Sequence, residues 1–159
     1  QIAAFRSQLA LAGEVDLPGI VHVRDAFEAT GRLLYEWVTG FAVGAARAER
    51  GVLHCFSGDL DFARRCMDMG FLVSFAGPLT YPRADRLAQV AQAVPLDKVL
   101  LETDCPYLAP QRLRGKRNEP SHVVEVGRKL AAIRGLPEEV VAEWTTRNAL
   151  RLFRLVAPT

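Results

Sequence analysis

Gly19-Ile-Val-His22 and Gly51-Val-Leu-His54 are the same four-residue pattern, and Val99-Leu-Leu-Glu102 departs from it at its first and last residues. Runs this short that are apolar throughout, rather than alternating, belong to strands buried on both faces, which is how parallel sheets are built. A fourth run, Phe71-Leu-Val-Ser-Phe75, reads the same way, so strands are expected at 19–23, 51–55, 71–75 and 98–102. Between them, apolar residues recur at helical spacing over 25–38 with a further stretch at 41–49, then over 59–69 and 82–93, bounded by Asp, Gly or Pro. Ile2, Phe5, Leu9 and Ala12 place another helix over 1–12, and Pro120 and Pro137 suit the first turns of two more. Alternation of strand and helix predicts an α/β fold with parallel strands covered by helices. No linker or low-complexity tract interrupts the chain, so residues 1–159 read as one domain.

In a parallel sheet the carboxyl ends of all strands meet on one rim, and that rim is where barrel and open α/β enzymes keep their chemistry. His22, His54, Glu102 and Asp104 therefore converge in this reading although they are far apart in sequence. Two neutral imidazoles and a carboxylate suit a divalent metal ion, with Zn, Mn and others all allowed. Each His alone reads more readily as a buried residue donating to a backbone carbonyl, and the repeated strand-end placement reverses that balance; Asp104, beside Pro106, reads alternatively as a turn cap and Glu102 as the partner of a nearby Arg. Two carboxylates at the end of an apolar strand are costly unless a cation compensates them. On that reading Asp104 ligates the metal, and Glu102 orients or deprotonates the attacking water.

The loop Arg112-Leu-Arg-Gly-Lys-Arg-Asn-Glu-Pro120 follows the same strand end and gathers Arg112, Arg114, Lys116 and Arg117. Such a cluster is either a solvated loop or, beside a metal rim, a clamp for phosphate. Arg24, just past the first strand, serves similarly or pairs with Asp25. Tyr81, Phe56 and Trp37 can all stack on bases, with core packing the better reading of Trp37 and Phe56.

Other classes drop out on motif and composition. No P-loop, GxGxxG or GxSxG is present, which removes the common ATP, dinucleotide and serine-hydrolase readings. A formal net charge of +2 is too small to show nucleic-acid binding by itself. Cys55, Cys66 and Cys105 are odd in number and lack CxxC spacing, so they read as free buried thiols. No stretch approaches the roughly 20 apolar residues of a membrane span, and the opening residues lack a signal-peptide pattern, so the expected location is cytoplasmic.

Five segments, DLPGIVHVRDA (16–26), GVLHCFSGD (51–59), LLETDCPYLAP (100–110), RGKRNEP (114–120) and TTRNALRLF (145–153), together resemble the TatD family of metal-dependent deoxyribonucleases. The resemblance covers nearly the whole chain, in order and at similar spacing. It implies a TIM-like (β/α)8 barrel with two divalent metal ions, Zn, Mn or Mg, that hydrolyses DNA phosphodiesters from the 3′ side, single-stranded DNA included. His22 and His54 would bind one metal and Asp104 the other, with Glu102 beside them in a catalytic role. Arg24, Arg114, Lys116, Arg117 and Asn118 would meet the substrate. A full member also carries a His-x-His pair and a metal-bridging Glu on earlier strands, and the only histidines here are His22, His54 and His122. The resemblance is thus to the carboxyl-terminal part of the barrel, about its last four strands. The expectation is a partial barrel, inactive alone, that completes itself with a missing amino-terminal half or by self-association. The alternatives are an amide or ester hydrolase of the amidohydrolase type and a non-catalytic remnant.

Overall fold

The computed structural model describes residues 1–40 and 48–156. A helix α1 (Ile2–Glu14) is followed by strand β1 (Gly19–His22), helix α2 (Phe27–Gly40), strand β2 (Gly51–His54), helix α3 (Leu60–Asp68) and strand β3 (Phe71–Phe75). A 3-10 turn, Gly77–Thr80, then leads to helix α4 (Asp85–Ala93) and strand β4 (Val99–Leu101). The long loop after β4 ends in helices α5 (Val123–Arg134) and α6 (Glu138–Phe153). Each expected strand is present within a residue or two of its bounds. The helical stretch expected at 41–49 falls mostly on residues 41–47, outside the described residues.

The four strands form one parallel sheet in the order β1-β2-β3-β4. Sequential order without a reversal is the layout of a barrel segment rather than of a doubly wound sheet, whose strand order switches direction. The barrel is not closed, and β1 and β4 are edges among the described residues.

Alternation of side chains along each strand gives the sheet two different faces. Val21, Leu53, Phe71, Val73, Phe75 and Val99 point into the main core, where Phe62 and Leu34 from the covering helices meet them. Burying a side chain of this size contributes roughly 1.5–3 kcal/mol relative to exposure. Trp37 and Phe56 belong to this core, as the sequence suggests. On the other face Val52, Leu72 and Leu100 form a second, smaller cluster with Leu152 of α6. Alternation puts His22 and His54 on this second face, two residues beyond Ile20 and Val52, with Glu102 two beyond Leu100. The chemistry-bearing side chains therefore stand at the carboxyl end of the face that, among the described residues, α6 covers. Ile20 on that face is 65% exposed.

Local chemistry fixes the elements that carry the site. Asp59 caps α3 by accepting the Phe62 N–H at 2.8 Å. Gly51 has a packing reason, since a Cβ there would stand 2.2 Å from the Gly19 carbonyl oxygen of the neighbouring strand. Asn148 of α6, fully buried, donates to the Leu96 and Val99 carbonyls at 2.8 Å each and so ties the last helix to the start of β4. Among the described residues no helix is long and apolar enough to cross a membrane.

Candidate metal centre

Parallel register sets His22 directly beside His54, their rings 5.8 Å apart between centroids. Glu102 lies one residue beyond β4, held in place because its N–H donates to the Phe75 carbonyl at 3.0 Å and extends the ladder. Its Oε1 lies 2.9 Å from His54 Nδ1 and also accepts the Cys55 backbone N–H at 2.5 Å. A carboxylate against Nδ1 keeps the ring proton on that nitrogen and leaves Nε2 with its lone pair free. His54 Nε2 in turn faces Asp104 Oδ1 at 3.4 Å.

That last distance is longer than a good N–H···O hydrogen bond, and in this tautomer both atoms are acceptors. Two ligands each about 2.1 Å from a tetrahedral ion stand about 3.4 Å apart, so the gap fits a divalent cation in donor type and in spacing. His54 and Asp104 are the residues that would hold it, with His22 alongside. Among the described residues no group of three or more His, Cys, Asp or Glu side chains converges tightly enough to hold an ion, so the fit is that of a partial ligand set. The side chains of His54, Glu102 and Asp104 are 25%, 23% and 29% exposed, which leaves them reachable from solvent. It also makes the two carboxylates cheaper to keep there than the sequence reading supposes, because they are not fully desolvated.

The backbone around the rim is unusual. Asp25, Cys55 and Asp104, each within three residues of a strand end, have φ of +53°, +44° and +57°. Asp tolerates the left-handed region through local hydrogen bonds, whereas Cys is rarely found there, at a cost of order 1–3 kcal/mol. At Cys55 the bond to Glu102 is the observed compensation. The turn at Asp104 is fixed by the Tyr107 N–H donating to its carbonyl at 2.9 Å.

The thiols divide by environment. Burial pushes the Cys55 thiol up to about 12, with the Glu102 and Asp104 charges adding to it, and burial pushes Cys66 up to about 12 against the opposing charge of Arg65. Cys66 alone of the three is buried as expected: Cys55 is half-buried, and Cys105 is exposed because the loop after β4 carries it outward. A raised pKa means less thiolate at pH 8, and the thiolate is the reactive form. In the metal-free chain at pH 8, dithionitrobenzoate is expected to titrate one thiol quickly, at Cys105, and the other two at least about tenfold more slowly until denaturant is added. A Cys105→Ser variant that still releases one fast equivalent contradicts this.

The basic loop does not act as one unit. Asn118 is 2% exposed, and its amide donates to the Thr103 and Tyr107 carbonyls at 2.6 Å each. Its Oδ1 accepts the Glu119 N–H at 3.0 Å and lies 3.0 Å from His122 Nδ1. With its groups engaged this way Asn118 holds the loop's shape, and the structure gives it no free group for a substrate. Arg112 turns away to Glu125 on α5 at 3.4 Å. Arg114 lies over the Tyr81 ring, 4.5 Å from its centroid, and Tyr81 is pinned by its hydroxyl donating to the Ala109 carbonyl at 3.1 Å. Lys116 and Arg117 are exposed. Arg24 is exposed and loosely beside Asp25 at 4.0 Å, away from this cluster in sequence. Arg83 and Arg86, from the segment after β3, line a cavity of about 580 Å³ with Tyr81 and Arg114. The sequence reading misses both, since neither lies near a pattern, and only the fold brings them to Tyr81.

Imidazole and carboxylate side chains at the carboxyl rim of a sequentially ordered parallel sheet are the layout of a barrel-type enzyme. The chain belongs to the TatD-related DNase family, whose model matches residues 1–154. An uncharacterised metal-dependent hydrolase, YabD of Bacillus subtilis, is 45% identical over 155 residues, which are 98% of this chain and 58% of that protein. The protein named 3′-5′ ssDNA/RNA exonuclease TatD from Pantoea ananatis is 34% identical over 158 residues, covering 96% of this chain and 58% of the relative. The crystal structure of YjjV, a TatD homologue from Escherichia coli K12, superposes with a TM-score of 0.83 at 32% identity, over 94% of this chain and 54% of that one. The chain thus spans somewhat more than half the length of the relatives it matches.

Proposed function

We propose that this chain contributes the carboxyl-terminal part of a metal-dependent phosphodiesterase acting on nucleic acid, with full activity belonging to an assembly in which the sheet is closed into a barrel. The observation that carries the reading is His54 set between Glu102 at Nδ1 and Asp104 at Nε2 on the strand-end rim. The name borne by the Pantoea relative supports a single-stranded DNA or RNA substrate, and the exposed cations Arg114, Lys116 and Arg117 supply the charge that phosphate needs.

His54 and Asp104, with His22 alongside, would hold a divalent cation, which would supply Lewis acidity toward a phosphoryl oxygen and make water more acidic. The chain's own residues do the rest. Glu102 fixes the tautomer and direction of the His54 ring, so that Nε2 rather than an N–H faces Asp104. In this reading Glu102 is a positioning residue first, and its second oxygen, Oε2, is the one left to orient water. Lys116 and Arg117 hold the phosphate, and Asn118 holds the loop that carries them. Arg24, at the β1 end, is a further phosphate contact.

The test titrates the metal-free chain with Mn²⁺ or Zn²⁺ and then offers bis(p-nitrophenyl) phosphate and p-nitrophenyl acetate in parallel. Metal binding with diester cleavage that EDTA reverses is the expected result, at a low rate because the ligand set is partial. Cleavage of the acetate with the diester left intact favours an amide or ester hydrolase, and the absence of both metal binding and cleavage favours a non-catalytic role.

A further inference from the structure

The segments that follow β2, β3 and β4 enclose two adjacent cavities on the same rim as the metal centre, one of about 580 Å³ and one of about 240 Å³. Tyr81 and Arg114 line both, so this stacked pair is the wall between them. Ser57 and Gly58, three and four residues past His54, line the larger one and connect it to the metal side. Arg83 and Arg86 stand in the larger cavity and Lys116 in the smaller. None of the described residues lining either cavity is acidic. Arg86 is partly held by Asp59 at 3.2 Å, whereas Arg83 and Lys116 are exposed.

Two features go beyond a general attraction for anions. Tyr81 is anchored by its hydroxyl, and its ring holds the Arg114 guanidinium 4.5 Å from the centroid, so the guanidinium is presented as a fixed platform. Arginine planes, like aromatic faces, are surfaces on which unpaired bases stack. A duplex keeps its bases paired and stacked on one another, so it cannot use such a platform. We propose that Tyr81 and Arg114 form a subsite for an unpaired nucleotide flanking the cleaved linkage, its base stacked on Arg114 and the phosphates to either side held by Arg83 and Lys116. The strand crosses the wall between the two cavities and is thereby selected as single-stranded. This rests on the reading of the rim as a nucleic-acid phosphodiesterase, and it adds Tyr81 and Arg83 to the residues that choose the substrate.

The experiment measures equilibrium binding of a fluorescein-labelled ten-nucleotide oligothymidylate by anisotropy, in EDTA so that nothing is cleaved, with a duplex of the same length beside it. The wild-type chain is expected to prefer the single strand. Arg114→Ala is expected to weaken single-strand binding about tenfold and to erase most of that preference. Arg114→Lys, which keeps the charge and loses the plane, should recover only a minor part of the loss. Arg83→Ala should weaken both probes alike and lower the slope of log affinity against log salt by about one. Full rescue by lysine, wild-type binding in Arg114→Ala, or no single-strand binding by the wild type each overturns the subsite. Cleavage of bis(p-nitrophenyl) phosphate separates the two ideas. Diester turnover with any of those outcomes sinks the subsite and keeps the hydrolase, whereas the expected binding pattern with neither metal binding nor turnover keeps the platform as a single-strand site and sinks the hydrolase.

Discussion

His54→Ala and Asp104→Ala are each expected to reduce the affinity of the metal-free chain for Mn²⁺ or Zn²⁺ by at least about a hundredfold, measured by isothermal titration calorimetry, because few ligands remain to share the ion. The reasoning is geometric: Nε2 and Oδ1 face each other at 3.4 Å, and removing either takes away one of the two donors that face the gap, leaving the other with only His22 alongside. Glu102→Gln tests the supporting role separately. A glutamine can turn its amide oxygen toward Nδ1 and the Cys55 N–H, but it brings no charge, so the ring is a weaker ligand. The expected loss is about 10- to 100-fold, the range seen when the residue behind a metal-binding His is changed. Wild-type affinity in His54→Ala and Asp104→Ala together would mean that the two face each other for structural reasons only. Both positions are partly exposed, so neither variant is expected to unfold the chain.

A second large effect is expected at Gly77. The turn it opens passes so close to the loop after β4 that a Cβ there would stand 1.8 Å from the Leu108 carbonyl oxygen, a backbone atom that cannot rotate away. Gly77→Ala is expected to lower the unfolding free energy by about 3 kcal/mol, the upper part of the range for overpacking, read from urea denaturation. Gly40, whose added Cβ would meet nothing within 4 Å among the described residues, is the control and is expected to change stability by less than about 0.5 kcal/mol. Because Tyr81 and Ala109 lie on the two sides of this contact, the same substitution should also disturb the platform that Tyr81 supports. Equal stability of the two variants contradicts the close approach.

The sheet was legible because its strands are apolar throughout and short, a pattern that amphipathic helices do not produce, and because each is punctuated by Gly, Asp or Pro. The histidines were legible as rim residues because they end identical runs, so one register places both. What Glu102 touches was not legible: 48 residues separate it from His54 in sequence, and only the parallel pairing of β2 with β3 and β3 with β4 brings the two together. Asn118 shows the converse. In a loop dense with cations a polar residue reads as solvent-facing, whereas here the carbonyls of Thr103 and Tyr107 need a donor and draw it inside. Arg83 and Arg86 follow no periodicity, and their value depends wholly on Tyr81 standing opposite.

One oxygen of Glu102 serves both the His54 ring and the backbone N–H of the residue that follows it. The aim of the imidazole and the backbone just past β2 are therefore set by the same carboxylate oxygen. That backbone runs on into Ser57 and Gly58, which wall the neighbouring cavity. The metal side of the rim and the wall of the cavity beside it thus share one acceptor atom.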